Sequence, residues 1–205
     1  MINYKRRWLK YKMKRSRIDL ILLIVVSSFL ISNFYYSFSY AFDEVYRIPL
    51  RVHLGKSKRP VQKWPPILEE INHIWLSQAG ICFEMEIVLH DDVLNRGMDI
   101  WFVSGENEVY NGMFRDEHDI WTKDTPNLRP ALNPARYPAA RTAAHELGHG
   151  LGLMHNGSSD NYLMQSQTYG WELEDGERVI ARSHAEVMAH NDRSYSHCRE
   201  PEIKK

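Results

Sequence analysis

The sequence predicts a single α+β domain over most of the chain, and three observations predict it. Strand-like alternation of apolar and polar residues begins near residue 46, a helical pattern follows between residues 64 and 78, and alternation returns from 81 to 89. With 205 residues, 43% of them apolar and 25% charged, the chain is large enough for one real core. In the first segment Tyr46, Ile48, Leu50, Val52 and Leu54 alternate with Arg47, Pro49, Arg51 and His53, the pattern of a strand with one buried face. Trp64, Ile67, Leu68, Ile71, Ile74 and Trp75 then recur at helical spacing, with Pro65 suited to a first turn and Gly80 near the end. Ile81, Phe83, Met85, Ile87 and Leu89 make a second strand, and the apolar run from Asp99 to Val103 a third.

Residues 105–138 are rich in Asn, Asp, Pro and Gly, so loop is expected there, with two short strands at 112–114 and 120–121. A second long helix opens at Tyr137 or Pro138 and is continued by Ala139, Ala140, Ala143 and Ala144, all good helix formers. A last helix is expected from about Asp175 to Ala189, with Val179, Ile180, Val187 and Met188 on its apolar side. There is no internal repeat and no low-complexity tract.

The formal charge of zero conceals an asymmetry. Eight basic residues and one acidic residue lie before residue 20, leaving 18 basic against 25 acidic from residue 42 onward, a net −7. That balance argues against nucleic acid or an anionic membrane surface as a partner of this part. The basic stretch precedes an apolar run from Leu20 to Ile31 broken by Ser27 and Ser28, then a Ser/Tyr/Phe-rich segment ending Ser39-Tyr40-Ala41. Residues 1–41 read as a signal peptide cleaved after Ala41, with small residues at the positions a signal peptidase needs. The alternative is an uncleaved signal anchor, since residues 20–42 carry no charge. Either places residues 42–205 outside the cytoplasm, secreted or periplasmic in the first case and membrane-anchored in the second. The two cysteines, Cys82 and Cys198, both fall in that exported part, where a disulfide can form; two separate thiols are the alternative.

The segment His145-Glu146-Leu147-Gly148-His149 contains HExxH inside a predicted helix. Spacing of i, i+4 stacks His145 and His149 on one face, where two imidazoles converge on one ion and leave places for a third ligand and water. Glu146 then lies beside that water rather than on the metal, as a general base. HExxH alone fixes three residues and occurs by chance, but here it extends through Gly152 to His155. Gly152 can take the left-handed conformation that ends the helix and brings His155 back toward the metal.

HExxHxxGxxH followed within ten residues by a turn containing methionine resembles the metzincin clan of zinc peptidases. The resemblance implies one catalytic Zn²⁺ on His145, His149 and His155, catalysis by Glu146, and Met164, in Asn161-Tyr162-Leu163-Met164-Gln165-Ser166, as an apolar Met-turn floor beneath the ligands. It implies a zincin fold: a twisted mixed sheet of about five strands with two long helices to about residue 152, then a small C-terminal subdomain, residues 153–198, with one helix. It also implies a peptide or protein substrate laid along an edge strand, with 111–115 the candidate edge, and a specificity pocket formed by residues 165–175, where Tyr169 and Trp171 are candidate lining. Asn156 does not match the residue that follows the third histidine in the best-known branches, so the branch is unassigned. A monomeric enzyme is expected. The alternative function is a non-catalytic exported zinc domain that binds a protein or cell-wall partner.

Seven histidines (His53, His73, His90, His118, His184, His190 and His197) lack ligand spacing and are read as surface or core residues. His118 sits among Arg115, Asp116, Glu117 and Asp119, a cluster that is also a candidate Ca²⁺ site, although a solvated loop is the stronger reading. Gly148 and Gly150 inside a helix are unfavourable by about 1 kcal/mol each relative to Ala, so close packing is expected there, with the Met-turn the expected neighbour.

Overall fold

The computed structural model describes residues 44–105, 109–189, 198 and 201–203. Residues 1–41, where a signal is expected, and His190 and His197 lie outside the described residues. The observed order is β1 (Tyr46–His53), α1 (Pro65–Ala79), β2 (Ile81–Val88), β3 (Met98–Val103), β4 (Gly112–Phe114), β5 (Ile120–Lys123), α2 (Pro138–Gly150), α3 (Asp175–Met188) and the two-residue β6 (Glu202–Ile203). This is the α+β class expected, with two long helices, a mixed sheet and one further helix after the motif. The sheet runs β4-β5-β3-β1-β2-β6, every pairing parallel except β4 against β5.

α1 supplies the crossover that a parallel β1–β2 pair requires. Pro65 occupies its first turn, where a missing N–H removes no helical bond, and Gly80 ends it in the left-handed region at φ 63°. Ile67, Leu68, Ile71, Ile74 and Trp75 of α1 join Ile48, Leu50, Val52, Phe83, Ile100 and Phe102 of the sheet in one core, to which α2 adds Ala140, Ala143, Ala144 and Leu147. Small residues on α2 let it lie close to both α1 and strands β4 and β5.

Two expectations need correction. β1 is not solvated on its second face: Arg47 and His53 are buried as well. β1 sits in the middle of the sheet, where its neighbours supply partners, Glu84 for Arg47 at 3.7 Å and Asp99 for His53 at 2.8 Å. On α3 the predicted apolar side is wrong. Val179, Ile180 and Val187 are 70, 45 and 79% exposed, only Met188 of the four packs against the core, and Ala181 and Ala185 are the buried pair. Alanines at i and i+4 allow close approach, and beside them Arg182 donates to the Ala79 carbonyl at the end of α1 and lies over the Tyr46 ring.

Cys82 in β2 is bonded to Cys198, 116 residues on. In the loop-entropy view, a closure this long removes many conformations from the unfolded chain. Replacing both cysteines by alanine is expected to lower stability by about 2–5 kcal/mol, measured by urea unfolding of the oxidised parent beside the variant; equal stabilities would contradict this. Among the described residues no helix is long and apolar enough to cross a membrane.

Candidate metal centre

Helix α2 carries two of the three histidines, and its entry is tightly held. Pro138 stands at its first turn. Glu70 reaches across from α1 so that its carboxylate accepts the backbone N–H groups of Arg136 and Tyr137. Burial raises the Glu70 pKa, against the pull of those two N–H bonds and the Arg136 charge. From Ala139 to Gly148 every residue of α2 is buried.

Beyond the helix, Gly152 adopts φ 79°. The turn is closed by Gly152 N–H on the His149 carbonyl and Leu153 N–H on the Gly148 carbonyl. A side chain at Gly152 would run into the ring of His184 on α3, 2.5 Å from its nearest atom, so α3 backs the turn. The chain then returns with His155, and the next residue is fixed twice: Asn156 N–H donates to the Met164 carbonyl, and its side chain donates to Glu177 of α3.

The three imidazoles come together. Ring centroids lie 4.8 Å apart for His145 and His149, 4.8 Å for His149 and His155, and 5.2 Å for His145 and His155. Nδ1 of His145 donates to the Leu163 carbonyl and Nδ1 of His149 to the Leu153 carbonyl, both at 2.8 Å. Each bond fixes the tautomer that leaves a lone pair on Nε2. Burial lowers the His145 pKa well below its ordinary value, with the Arg141 charge adding to it, and burial also lowers that of His149. Both are therefore neutral at pH 7, the form that ligates.

The donor set fits zinc. A tetrahedral ion with Zn–N bonds near 2.0–2.1 Å places its nitrogens about 3.3 Å apart, and Nε2 of His149 and Nε2 of His155 are 3.2 Å apart. One donor atom from each of the three rings falls within 4.8 Å of the others. Among the described residues this is the only cluster of His, Cys, Asp or Glu able to hold a metal. Three imidazoles suit zinc, and a calcium ion would require oxygen ligands.

The loop considered for calcium does not provide them. Asp116 caps the backbone N–H of His118, Asp119 pairs with Arg115 at 2.9 Å, and His118 turns to Asp99 at 2.8 Å. Asp99 is thereby shared between His118 and the buried His53. Burial tends to raise its pKa, but these two partners, with the Leu94 N–H, hold it below the usual value. His73 lies against the Trp171 ring and His90 stands at the surface.

Glu146 projects beside the histidines and is buried, which pushes its pKa up to about 7 against the opposing effects of the Arg141 charge and a hydrogen bond from the Phe114 backbone. It lies against the edge strand β4: a Cβ built on Gly112 would stand 2.6 Å from Glu146 Oε1. On the same strand, the Phe114 ring lies 6.4 Å from the His149 ring. Met164 is fully buried beneath α2, its Sδ 2.7 Å from where a Cβ on Gly148 would be. Gly150 has a different neighbour: it is crowded by Met98 and Phe114, not by the Met-turn. Residues 165–175 are tied by backbone bonds to residues 129–135, and Trp171 faces His73 of α1 in a separate cavity with Glu70 and Pro134.

Two buried side chains that reach the segment after the motif have no counterpart in it. Arg141, buried one turn before His145, donates to the carbonyls of Leu163, Gln165 and Gly170. Burial pulls its pKa down to about 9, with the Glu146 charge opposing, so it remains a cation at pH 7. Gln78 of α1 bridges to the same loop, donating to Trp171 and accepting from Leu173. For Arg141 a signal was present, a lone charge four residues before the first histidine and so on the stripe of the ligands.

No family model matches this chain, and no curated protein matches it. Among solved structures, the chain is similar to the crystal structure of an archaemetzincin from Methanopyrus kandleri, with a TM-score of 0.41 and 12% sequence identity over 69% of this chain and 93% of that chain.

Proposed function

We propose that residues 42–205 form an exported zinc-dependent endopeptidase domain that holds its ion through His145, His149 and His155 and uses Glu146 as general base. The observation that carries this reading is a buried carboxylate beside three histidines, two of which are fixed with Nε2 free, and outside the set of ligands. A zinc site that only supports a fold closes with a fourth protein ligand and has no use for such a carboxylate.

An ion in this site supplies Lewis acidity, which polarises a peptide carbonyl and makes water nucleophilic near neutral pH. Glu146 accepts the proton at its carboxylate as water adds to the carbonyl carbon, then delivers it to the departing amine nitrogen. A carboxyl pKa raised toward 7 suits both halves of that transfer. β4, an edge strand of the sheet, offers its backbone to an extended peptide beside Glu146. Met164 supplies an apolar floor under the helix. The Cys82–Cys198 bond suits an oxidising compartment and supports export.

The test pairs elemental analysis of the purified protein with hydrolysis of a mixed peptide library before and after chelation. One zinc per chain, with cleavage lost on chelation and restored by zinc, is the expected result. Zinc without cleavage would shift the reading to a zinc domain that binds a protein or cell-wall partner, and a protein that takes up no metal would end the proposal.

A further inference from the structure

We infer that Arg141 is a positioning residue of the metal centre: its guanidinium clamps the segment 163–170 beneath helix α2 and, through the Leu163 carbonyl, holds the imidazole of His145. This rests on the reading of the three histidines as a metal site and does not depend on hydrolysis.

The geometry is specific. Nε of Arg141 donates to the Gly170 carbonyl at 3.2 Å, and Nη2 donates to Leu163 at 2.6 Å and also to Gln165. The Leu163 and Gln165 carbonyls lie on either side of Met164 in sequence, so the clamp straddles the residue packed under Gly148. A carbonyl oxygen has two lone pairs. On Leu163 one receives Arg141, and the other receives His145 Nδ1–H at 2.8 Å. The acceptor that sets the tautomer and angle of the most buried of the three clustered histidines is thus itself held by a fixed charge. Arg141 and His145 are one turn apart on the same rigid helix, so the ligand and the clamp that orients it share one frame.

The chemistry of the side chain explains why arginine stands there. A guanidinium is a planar fork that meets several acceptors at once, whereas a lysine is a single point charge. An apolar residue of similar length would fill the space without the cost of burying a cation, yet would leave Leu163 and Gln165 free to shift. Partners behind a metal-ligating histidine usually change metal affinity by about 10–100-fold when removed.

The test uses the full chain and compares Arg141→Met, Arg141→Lys and Gln78→Leu. Gln78→Leu is the control, because Gln78 tethers the same loop through Trp171 and Leu173 without touching the Leu163 carbonyl. Circular dichroism checks folding, competition with a chromophoric chelator reads zinc affinity, and the visible absorption of the Co²⁺-substituted protein reads ligand geometry. Arg141→Met is expected to bind zinc about 10–100-fold more weakly and to alter the Co²⁺ spectrum. Arg141→Lys is expected to recover part of both, and Gln78→Leu to keep the parent affinity and spectrum.

A folded Arg141→Met with parent affinity and spectrum overturns the inference, as does an equal loss in Gln78→Leu, which would mean that loop stability alone is at work. Should Arg141→Met fail to fold, Arg141→Lys decides: a weaker site with a changed spectrum supports the inference, and an unchanged one overturns it. A parent protein that binds zinc but cleaves nothing would end the peptidase reading and leave these affinities to stand on their own. A parent that binds no zinc would end both.

Discussion

The Glu146→Gln protein is expected to bind one zinc per chain and to hydrolyse peptides about 10²–10⁴-fold more slowly than the parent. Glutamine keeps the shape of the side chain and can still accept the hydrogen bond from the Phe114 backbone, but its amide cannot take a proton from water. His145 and His149 are bound to the carbonyls of Leu163 and Leu153, and the backbone after His155 is held by Asn156 N–H on the Met164 carbonyl, none of which involves Glu146, so metal content is expected to hold. Steady-state hydrolysis of whichever library peptide the parent cleaves, with zinc counted in the same sample, checks both halves. A variant within a few-fold of the parent rate would remove Glu146 from the role of base, and a variant without zinc would make it a structural support of the site.

Gly112→Ala should do nearly as much damage without touching a titratable group. The added methyl carbon would stand 2.6 Å from Glu146 Oε1 and 2.7 Å from its Cγ, closer than non-bonded atoms approach. Either β4 backs away, taking with it the edge proposed to receive the substrate, or the carboxylate swings out of line. Misplacement of a catalytic group by about 1 Å costs on the order of 10²-fold in rate, and that is the loss expected in kcat/KM, with zinc retained. Gly157→Ala is the matching control, since nothing lies within 4 Å of a Cβ there. Equal activity of the two variants would show that β4 and Glu146 are not as closely coupled as their contact implies.

The parts of the site that could be read from the sequence are those whose geometry is local. His145 and His149 are brought together by the pitch of one helix, and His155 by a turn six residues long that glycine permits. β1, α1 and β2 announced themselves through apolar periodicity because each turns a continuous apolar face to the core, and α2 through Pro138 and its alanines. Arg141, Glu70 and Gln78 are different in kind. Their partners are backbone groups 22 to 95 residues away, and a backbone carbonyl or N–H leaves no mark on residue type. The misread face of α3 has a related origin: hydrophobicity marks Val179 and Val187, but close packing against the sheet selected the smaller Ala181 and Ala185. Periodicity reports where apolar bulk lies along a helix, and close packing also depends on how little room a neighbour leaves.

The two edges of the sheet differ in a way that bears on how the chain meets other chains. At the β2 edge, Cys82 is bonded to Cys198 near one end and β6 is paired with Glu86 and Ile87 near the other. At the opposite edge β4 is a short strand with Glu146 pressed against it. An unpaired edge is a general hazard, because any extended segment can add to it. Here one rim carries a covalent tie and a short added strand, and the other is the one where an arriving strand would lie beside Glu146. Self-association through the β4 rim would cover Glu146 on both copies.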